Sequence, residues 1–422
     1  MRKDVFIEDL FSLYDIASGI SEAIDIVTPQ QGSHHKRVAY ISYCLAKEMK
    51  LSNEDINDIV LGAILHDIGV FTKEEQTQLV QTQFNDSGFD HHQIMGYRLL
   101  KDFTPFSKAA SLIKDHHVHF AKTTNEVPLG CHIIHLADRV SILVDFNSEI
   151  LQQIPGILER VDQNRTMFHP EALDALYSLS KMEYFWIEAF TKPFRPELSE
   201  IINFPKRTME MDTIRELARI VARIIDFRSR FTATHSCGVA AVSYILSALS
   251  GFSERECMLM EVAGFLHDLG KMSVSNEIIE KTGALNIEEF NELRKHSYFT
   301  YSILSKIKGF EEIAEWAAYH HERLDGNGYP FHVKGDGFTK LARIVAVADI
   351  VTAITENRPY RIGMNSEKAL DILYEMVQAG SIDKGLVDLV RDNFPHIDSM
   401  RIKAQQEEMQ EYIAMDKDFN LT

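Results

Sequence analysis

LGAILHDIGVF at residues 61–71 and VAGFLHDLGKM at residues 262–272 are two versions of one pattern, an apolar helical stripe that runs into His-Asp and breaks at a glycine two residues on. Working outward, SHHKRVAYISY (33–43) matches THSCGVAAVSY (234–244), so that His34 to His235 and His66 to His267 share a single offset of 201 residues. HHQIMGYRLL (91–100) pairs with KHSYFTYSIL (295–304), His92 with His296, at an offset of 204, and His116-His117 pairs with His320-His321 at the same 204. LADRVSILVD (136–145) then pairs with VADIVTAITE (347–356), Asp138 with Asp349, at 211. A shared order at nearly constant spacing is an internal repeat. The last offset grows because HHERLDGNGYP (320–330) carries a glycine-rich loop that the first copy lacks.

Apolar residues recur at helical spacing through RVAYISYCLAKEM, VAAVSYILSAL and EKALDILYEMVQA, while alternating strand-like stretches are short and few. The expected fold is all-α: one helical domain over 1–150, a helical linker over 151–205 punctuated by Pro155, Pro170, Pro193, Pro196 and Pro205, and a second helical domain over 206–422.

Of 422 residues, 45% are hydrophobic and 25% charged, a soluble globular balance, and no run approaches the length of a membrane span. Four scattered cysteines without a CxxC pair suggest neither disulfides nor a thiolate metal site, so a cytoplasmic protein is expected. A net charge of −18 argues against a nucleic-acid duplex as partner, because phosphate backbones are bound by basic faces. A small anionic ligand would need positive charge or metal concentrated locally.

The repeated polar set is His, His-Asp, His, His-His, Asp. Imidazole and carboxylate without thiolate suit Fe, Mn, Ni or Zn. One histidine on an apolar helix is ordinarily a core residue, but seven such residues recurring in order are hard to explain as packing. His267 offers an imidazole to one metal and Asp268 a carboxylate that can bridge to a second, with His296, His320, His321 and Asp349 completing the set. Two ions roughly 3.5–4 Å apart clamp a phosphoryl group for in-line attack, which makes phosphoester hydrolysis the natural reaction class.

HDLGK at 267–271, His296, HHERLDGNGYP at 320–330 and ARIVAVADIVTAITENRPYR at 342–361 together resemble the HD-GYP family, a subgroup of the HD metal-dependent phosphohydrolases, over roughly residues 206 to 400. The first copy resembles the wider HD superfamily only. The resemblance implies tandem HD-type domains, the second hydrolysing a cyclic dinucleotide (cyclic di-GMP or cyclic GMP-AMP) to a linear one. Carried over by position, His235, His267, Asp268, His296, His320, His321 and Asp349 match the metal ligands. Lys271 matches a lysine that contacts the scissile phosphate or aids the leaving oxygen, and Arg358 and Arg361 match residues that bind substrate phosphates. Gly328, Tyr329 and Pro330 form the loop that the family is proposed to use for protein partners. Gly326 and Gly328 allow its bend and Pro330 fixes its exit.

Three departures matter. Phe231 stands where some members have a third-metal glutamate, so two metals are expected in the second domain. Ser275, Asn276 and Thr282 differ from the usual residues after HDLGK, which leaves the choice of dinucleotide open. The first copy keeps His34, His66, Asp67, His92, His116, His117 and Asp138 as a second candidate metal site, yet has Val70, Asn147 and Ile150 at the lysine and arginine positions. It is read as a regulatory or structural domain, a hydrolase of a smaller phosphate ester, or an empty relic. For the whole chain, a ligand- or redox-sensing protein with little turnover and a broader nucleotide phosphohydrolase are the competing functions. Self-association is left open.

Overall fold

Helix starts are written locally. Ser52, Ser253, Asn286, Thr339 and Asn365 each accept a hydrogen bond from the backbone N–H three residues on, and Glu256 and Glu289 return the bond to close capping boxes. The computed structural model describes residues 13–25, 32–70, 75, 84, 90–123, 126–191, 194, 198–202, 204, 209–228, 233–358 and 361–419. Among them the regular structure is helical, apart from one isolated bridge between Arg358 and Arg361. No described helix is long and apolar enough to cross a membrane.

The chain divides into two compact units, residues 11–207 and residues 208–422. In the first, α1 (Leu13–Asp25), α2 (His34–Glu48), α3 (Asn53–Ile64), α4 (Asp90–Leu100), α5 (Ser107–Lys114) and α6 (Leu129–Ile142) are followed by α7 (Ile150–Gln163), α8 (Pro170–Leu179), α9 (Glu183–Phe190) and a single turn, α10 (Leu198–Ile201). The helices after residue 150 belong to this unit: α8 and α9 pack on α2, Phe185 and Trp186 are fully buried, and the Tyr40 hydroxyl donates to Glu188.

The second unit runs through α11 (Met211–Asp226), α12 (His235–Leu249), α13 (Glu254–Leu266), α14 (Asn276–Ile279), α15 (Ile287–Leu293), α16 (Lys295–Leu304), α17 (Glu311–Ala318), α18 (Lys340–Thr355), α19 (Ser366–Gln378) and α20 (Lys384–Phe419). In α11, Ile214, Leu217, Ala218, Val221, Ala222 and Ile225 are buried, the i, i+3, i+4, i+7 stripe of an amphipathic helix. Its opposite side carries Arg219 and Arg223, whose guanidinium Nε atoms donate at 2.8 and 2.5 Å to the buried carboxylate of Glu408 on α20. The last helix, which bends at Asn393 just ahead of Pro395, is thereby fixed to the domain.

Candidate metal centres

Each domain delivers its repeated residues from equivalent places. His235 is the first residue of α12, His267 and Asp268 follow α13, His296 sits in the first turn of α16, His320 and His321 form a 3-10 turn after α17, and Asp349 lies within α18. The fold brings all seven together. His235 Nε2 is 3.2 Å from Asp349 Oδ1, and His267 Nε2 is 3.1 Å from Asp268 Oδ2. The other oxygen of Asp268 faces His296 Nε2 at 3.4 Å and His320 Nε2 at 3.8 Å. One carboxylate therefore stands between two imidazole groups, His235 with His267 on one side and His296, His320 and His321 on the other.

The histidines are aimed by their own helix ends. Nδ1 of His267, His296 and His320 each donates to the carbonyl three residues earlier, those of Gly264, Leu293 and Ala317, at 2.8, 2.6 and 2.7 Å. A carbonyl can only accept, so Nδ1 carries the proton and Nε2 of the neutral ring offers a lone pair. Two such lone pairs meet at 3.1 Å between His296 and His320. They repel unless a cation lies between them, and roughly 3 Å is the separation of two nitrogens that share one ion at about 2.0–2.1 Å. His267 Nε2 and Asp268 Oδ1 are buried and make no hydrogen bond. The donor set fits a divalent transition metal.

The field of the site favours positive charge. Burial opposes the imidazolium of His235, but Glu356 and Asp349 outweigh it and raise its pKa to about 10. Burial pushes His296 down to about 4 and, with the neighbouring His267, His320 down to about 3, so these rings stay neutral. Asp268 is held well below the ordinary carboxylate range: burial pushes the other way, and His267 and Lys271 overcome it.

Lys271 Nζ lies 2.5 Å from Asp268 Oδ2. Arg358 pairs with Glu356, its Nη2 at 2.7 Å, and the Arg361 guanidinium donates to the Ala353 carbonyl near the end of α18. Both arginines are half-buried, and Arg358 is linked to His235 through Glu356. In the glycine loop, Tyr329 packs its ring 4.8 Å from that of His321, and the Tyr329-Pro330 peptide is cis. Gly326 has φ +75°, and a Cβ at Gly328 would lie 2.4 Å from the Arg323 nitrogen. The loop closes around Glu322, a fully buried carboxylate that accepts from the N–H groups of Phe331, His332 and Val333 at 2.7, 3.1 and 3.1 Å. Phe231 lies outside the described residues.

Sequence comparison of the two copies passes over Glu356. Its buried carboxylate accepts from His235 Nδ1 at 3.1 Å and from Gln405 Nε2 of α20 at 3.1 Å, which orients from behind an imidazole of the candidate ligand set. The equivalent contact in the first domain is Ser141 Oγ to His34 Nδ1, 3.2 Å, so no shared letter marks the role.

The first domain assembles its seven residues in the same way. His34 Nε2 is 3.3 Å from Asp138 Oδ1, His66 Nε2 is 3.3 Å from Asp67 Oδ2, and His92 Nε2 is 3.5 Å from Asp67 Oδ1. His66 and His116 donate Nδ1 to the carbonyls of Ala63 and Ile113, and His92 Nε2 meets His116 Nε2 at 3.4 Å. His117 lies against His116, ring centroids 4.1 Å apart. Val70 is buried and Asn147 is bonded to Asp145, so neither brings charge to the centre. A cation nevertheless arrives from an unrepeated position: buried Arg139, where the second copy has Ile350, sets Nη2 2.5 Å from Asp138 Oδ2 and 3.4 Å from His117 Nδ1.

Two stretches of the chain match families described as HD domain, residues 32–143 and residues 219–386. The chain belongs to the HD-domain proteins and carries two such domains in tandem. It is 29% identical over 414 residues to 3'3'-cGAMP-specific phosphodiesterase 1 of Vibrio cholerae serotype O1, across 93% of this chain and 94% of that one. Cyclic di-GMP phosphodiesterase response regulator RpfG of Xanthomonas campestris is 35% identical over 162 residues, 38% of this chain and 43% of the relative. The crystal structure of V-cGAP3, a cyclic GMP-AMP specific phosphodiesterase of V. cholerae, aligns with a TM-score of 0.62 over 94% of this chain and 98% of that one, at 19% identity, a likeness of fold.

Proposed function

We propose that the second domain is a binuclear-metal phosphodiesterase that opens a cyclic dinucleotide to its linear form. The observation that carries this is the Asp268 carboxylate, one oxygen 3.1 Å from His267 and the other 3.4 Å from His296, placed to bridge two ions. His235, His267, His296, His320, His321 and Asp349 would hold those ions, which would be Fe, Mn, Ni or Zn. When bound, such a pair supplies Lewis acidity at a phosphoryl oxygen and a hydrolytic nucleophile at neutral pH.

The protein's own residues do the rest. Lys271 holds an ammonium beside Asp268, where it meets the scissile phosphate or the departing oxygen. Arg358 and Arg361 grip substrate phosphates from the end of α18, offsetting the acidity of a chain of net charge −18. The relatives point to substrates: phosphodiesterase 1 of V. cholerae is named for 3'3'-cGAMP and RpfG for cyclic di-GMP. The match along nearly the whole of the former makes cyclic GMP-AMP the first substrate to test. The four free cysteines fit a cytoplasmic enzyme, and the loop around Gly328, Tyr329 and Pro330 is its surface for protein partners.

The first domain would hold metal without opening the ring, because Arg139 is committed to Asp138 and His117 and the buried Val70 stands at the position of Lys271. The test incubates metal-reconstituted full-length protein with cyclic di-GMP, cyclic di-AMP and the cyclic GMP-AMP isomers, following ring opening and phosphate release in Asp268→Ala and Asp67→Ala. Ring opening should disappear in Asp268→Ala and survive in Asp67→Ala. Turnover that survives Asp268→Ala refutes the assignment.

A further inference from the structure

Two buried aspartates sit at equivalent places, Asp25 at the end of α1 and Asp226 at the end of α11, separated by the same 201 residues as the histidines. In the second domain Asp226 is satisfied locally, accepting from the Ser236 N–H at 2.9 Å and the Ser236 hydroxyl at 3.0 Å. The first domain has His35 in place of that serine. Its Nδ1 lies 2.5 Å from Asp25 Oδ1, and the ring is fully buried. A carboxylate accepts, so Nδ1 carries the proton, and Nε2 is left as a lone pair on the far side of the ring. That atom makes no hydrogen bond, nor does Nε2 of His66, whose ring centroid lies 5.2 Å away. Asp67 Oδ2 is 4.0 Å from His35 Nε2. One atom each from His35, His66 and Asp67 lies within 4.8 Å of the other two.

We propose that His35 is an additional metal ligand of the first domain, oriented by Asp25 and sharing an ion with His66 and Asp67. Carboxylate, imidazole and metal in line is the arrangement by which proteins fix a ligating ring and raise its basicity. A buried nitrogen lone pair without a donor is otherwise rare. The second domain, with serine at this position, has no counterpart. The first centre is therefore richer in nitrogen and favours metals late in the divalent series, such as Co(II), Ni(II) or Zn(II), over Mn(II).

This rests on the proposal that the first domain binds metal, and the experiment separates the two. Metal-free full-length protein carrying Asp268→Ala, which weakens the second centre, is titrated with Co(II) against a competing chelator while the visible ligand-field bands are followed. Adding His35→Ser, which copies the second domain, should weaken the remaining Co(II) site about tenfold or more and change its bands. Adding Asp67→Ala instead should remove the site. Unchanged affinity and bands in His35→Ser, with Asp67→Ala still removing the site, overturns the role of His35 and leaves the first domain a metal site. Co(II) binding that neither substitution alters shows that the first domain holds no metal, and both proposals fall. If circular dichroism shows that His35→Ser has lost helix, Asp25→Asn carries the test. The amide keeps a hydrogen bond without the charge, so affinity should fall severalfold, and an unchanged affinity overturns the proposal.

Discussion

Gly270 is the sharpest place to perturb the second centre without touching a ligand. A Cβ there would meet the His296 carbonyl oxygen at 1.9 Å, its carbon at 2.7 Å and the Thr300 nitrogen at 2.8 Å, all backbone atoms of α16. No rotamer relieves such a contact. Ordinary van der Waals separation requires the HDLGK turn and α16 to part by roughly 1.5 Å. Thr300 stitches these elements together, accepting from the Gly270 N–H at 2.9 Å and donating to the His267 carbonyl at 3.0 Å. Parting them strains both bonds and draws His296 away from Asp268, now 3.4 Å apart. Gly270→Ala should cost about 1–3 kcal/mol of stability, the usual range for overpacking. It should lower turnover about a hundredfold, the effect of a misplacement near 1 Å at a reacting centre. Metal content by elemental analysis, thermal unfolding and ring-opening rate are the measurements. Gly283→Ala is the control, because a Cβ at Gly283 meets nothing within 4 Å. Wild-type metal content and turnover in Gly270→Ala would refute the view that backbone contact sets the spacing between the two histidine groups.

Lys271→Ala should lower turnover far more than metal content, since the ammonium pairs with Asp268 and is assigned to the substrate; equal losses in both would contradict that assignment. Glu356→Gln should weaken metal binding about tenfold while keeping the helical content, because the amide preserves the hydrogen bond to His235 and loses the charge behind it. In the metal-free fold His66 and His235 are both raised to about 10, against burial, by Asp67 with Asp138 and by Glu356 with Asp349 respectively. Their protonated forms are held from low pH up to that value, so metal uptake at pH 8 should release protons and metal affinity should fall as pH falls. Calorimetry in buffers of different ionisation enthalpy measures this release, and its absence would contradict the electrostatics.

The parts legible in the sequence are those written twice. His34 with His235, His66-Asp67 with His267-Asp268, and His116-His117 with His320-His321 stand out because constant spacing shows through divergent helices. The helical reading followed from apolar periodicity, and the structure is helical throughout its described regular elements apart from one bridge. Glu356, Arg139 and Glu322 were not legible, for one physical reason: each acts through a three-dimensional neighbour that its aligned residue lacks, Ile350 for Arg139, Val118 for Glu322 and, for Glu356, an exposed Asp145 bonded to its own turn. Glu356 matters because α18 ends beside His235, and Arg139 because α6 turns a guanidinium back onto Asp138 and His117. Glu322 follows a repeated histidine pair but works by collecting three N–H groups from a loop without a counterpart.

The attachment of α20 sets the order in which a growing chain acquires its two centres. Every repeated ligand of the first domain has been synthesised by Asp138, and the helices that pack on α2 are finished by Phe190. Domains generally fold as units from the N-terminal end during synthesis. The second centre waits longer: its last candidate ligand in the chain is Asp349, yet the Gln405 amide that supports Glu356 and the Glu408 carboxylate that binds Arg219 and Arg223 are made more than fifty residues later. A nascent chain at that stage thus carries all the repeated residues of the first domain while those of the second lack their backing. Chains released early, by a premature stop before Gln405, would keep all seven repeated residues of the second domain and lose the amide that steadies Glu356 behind His235.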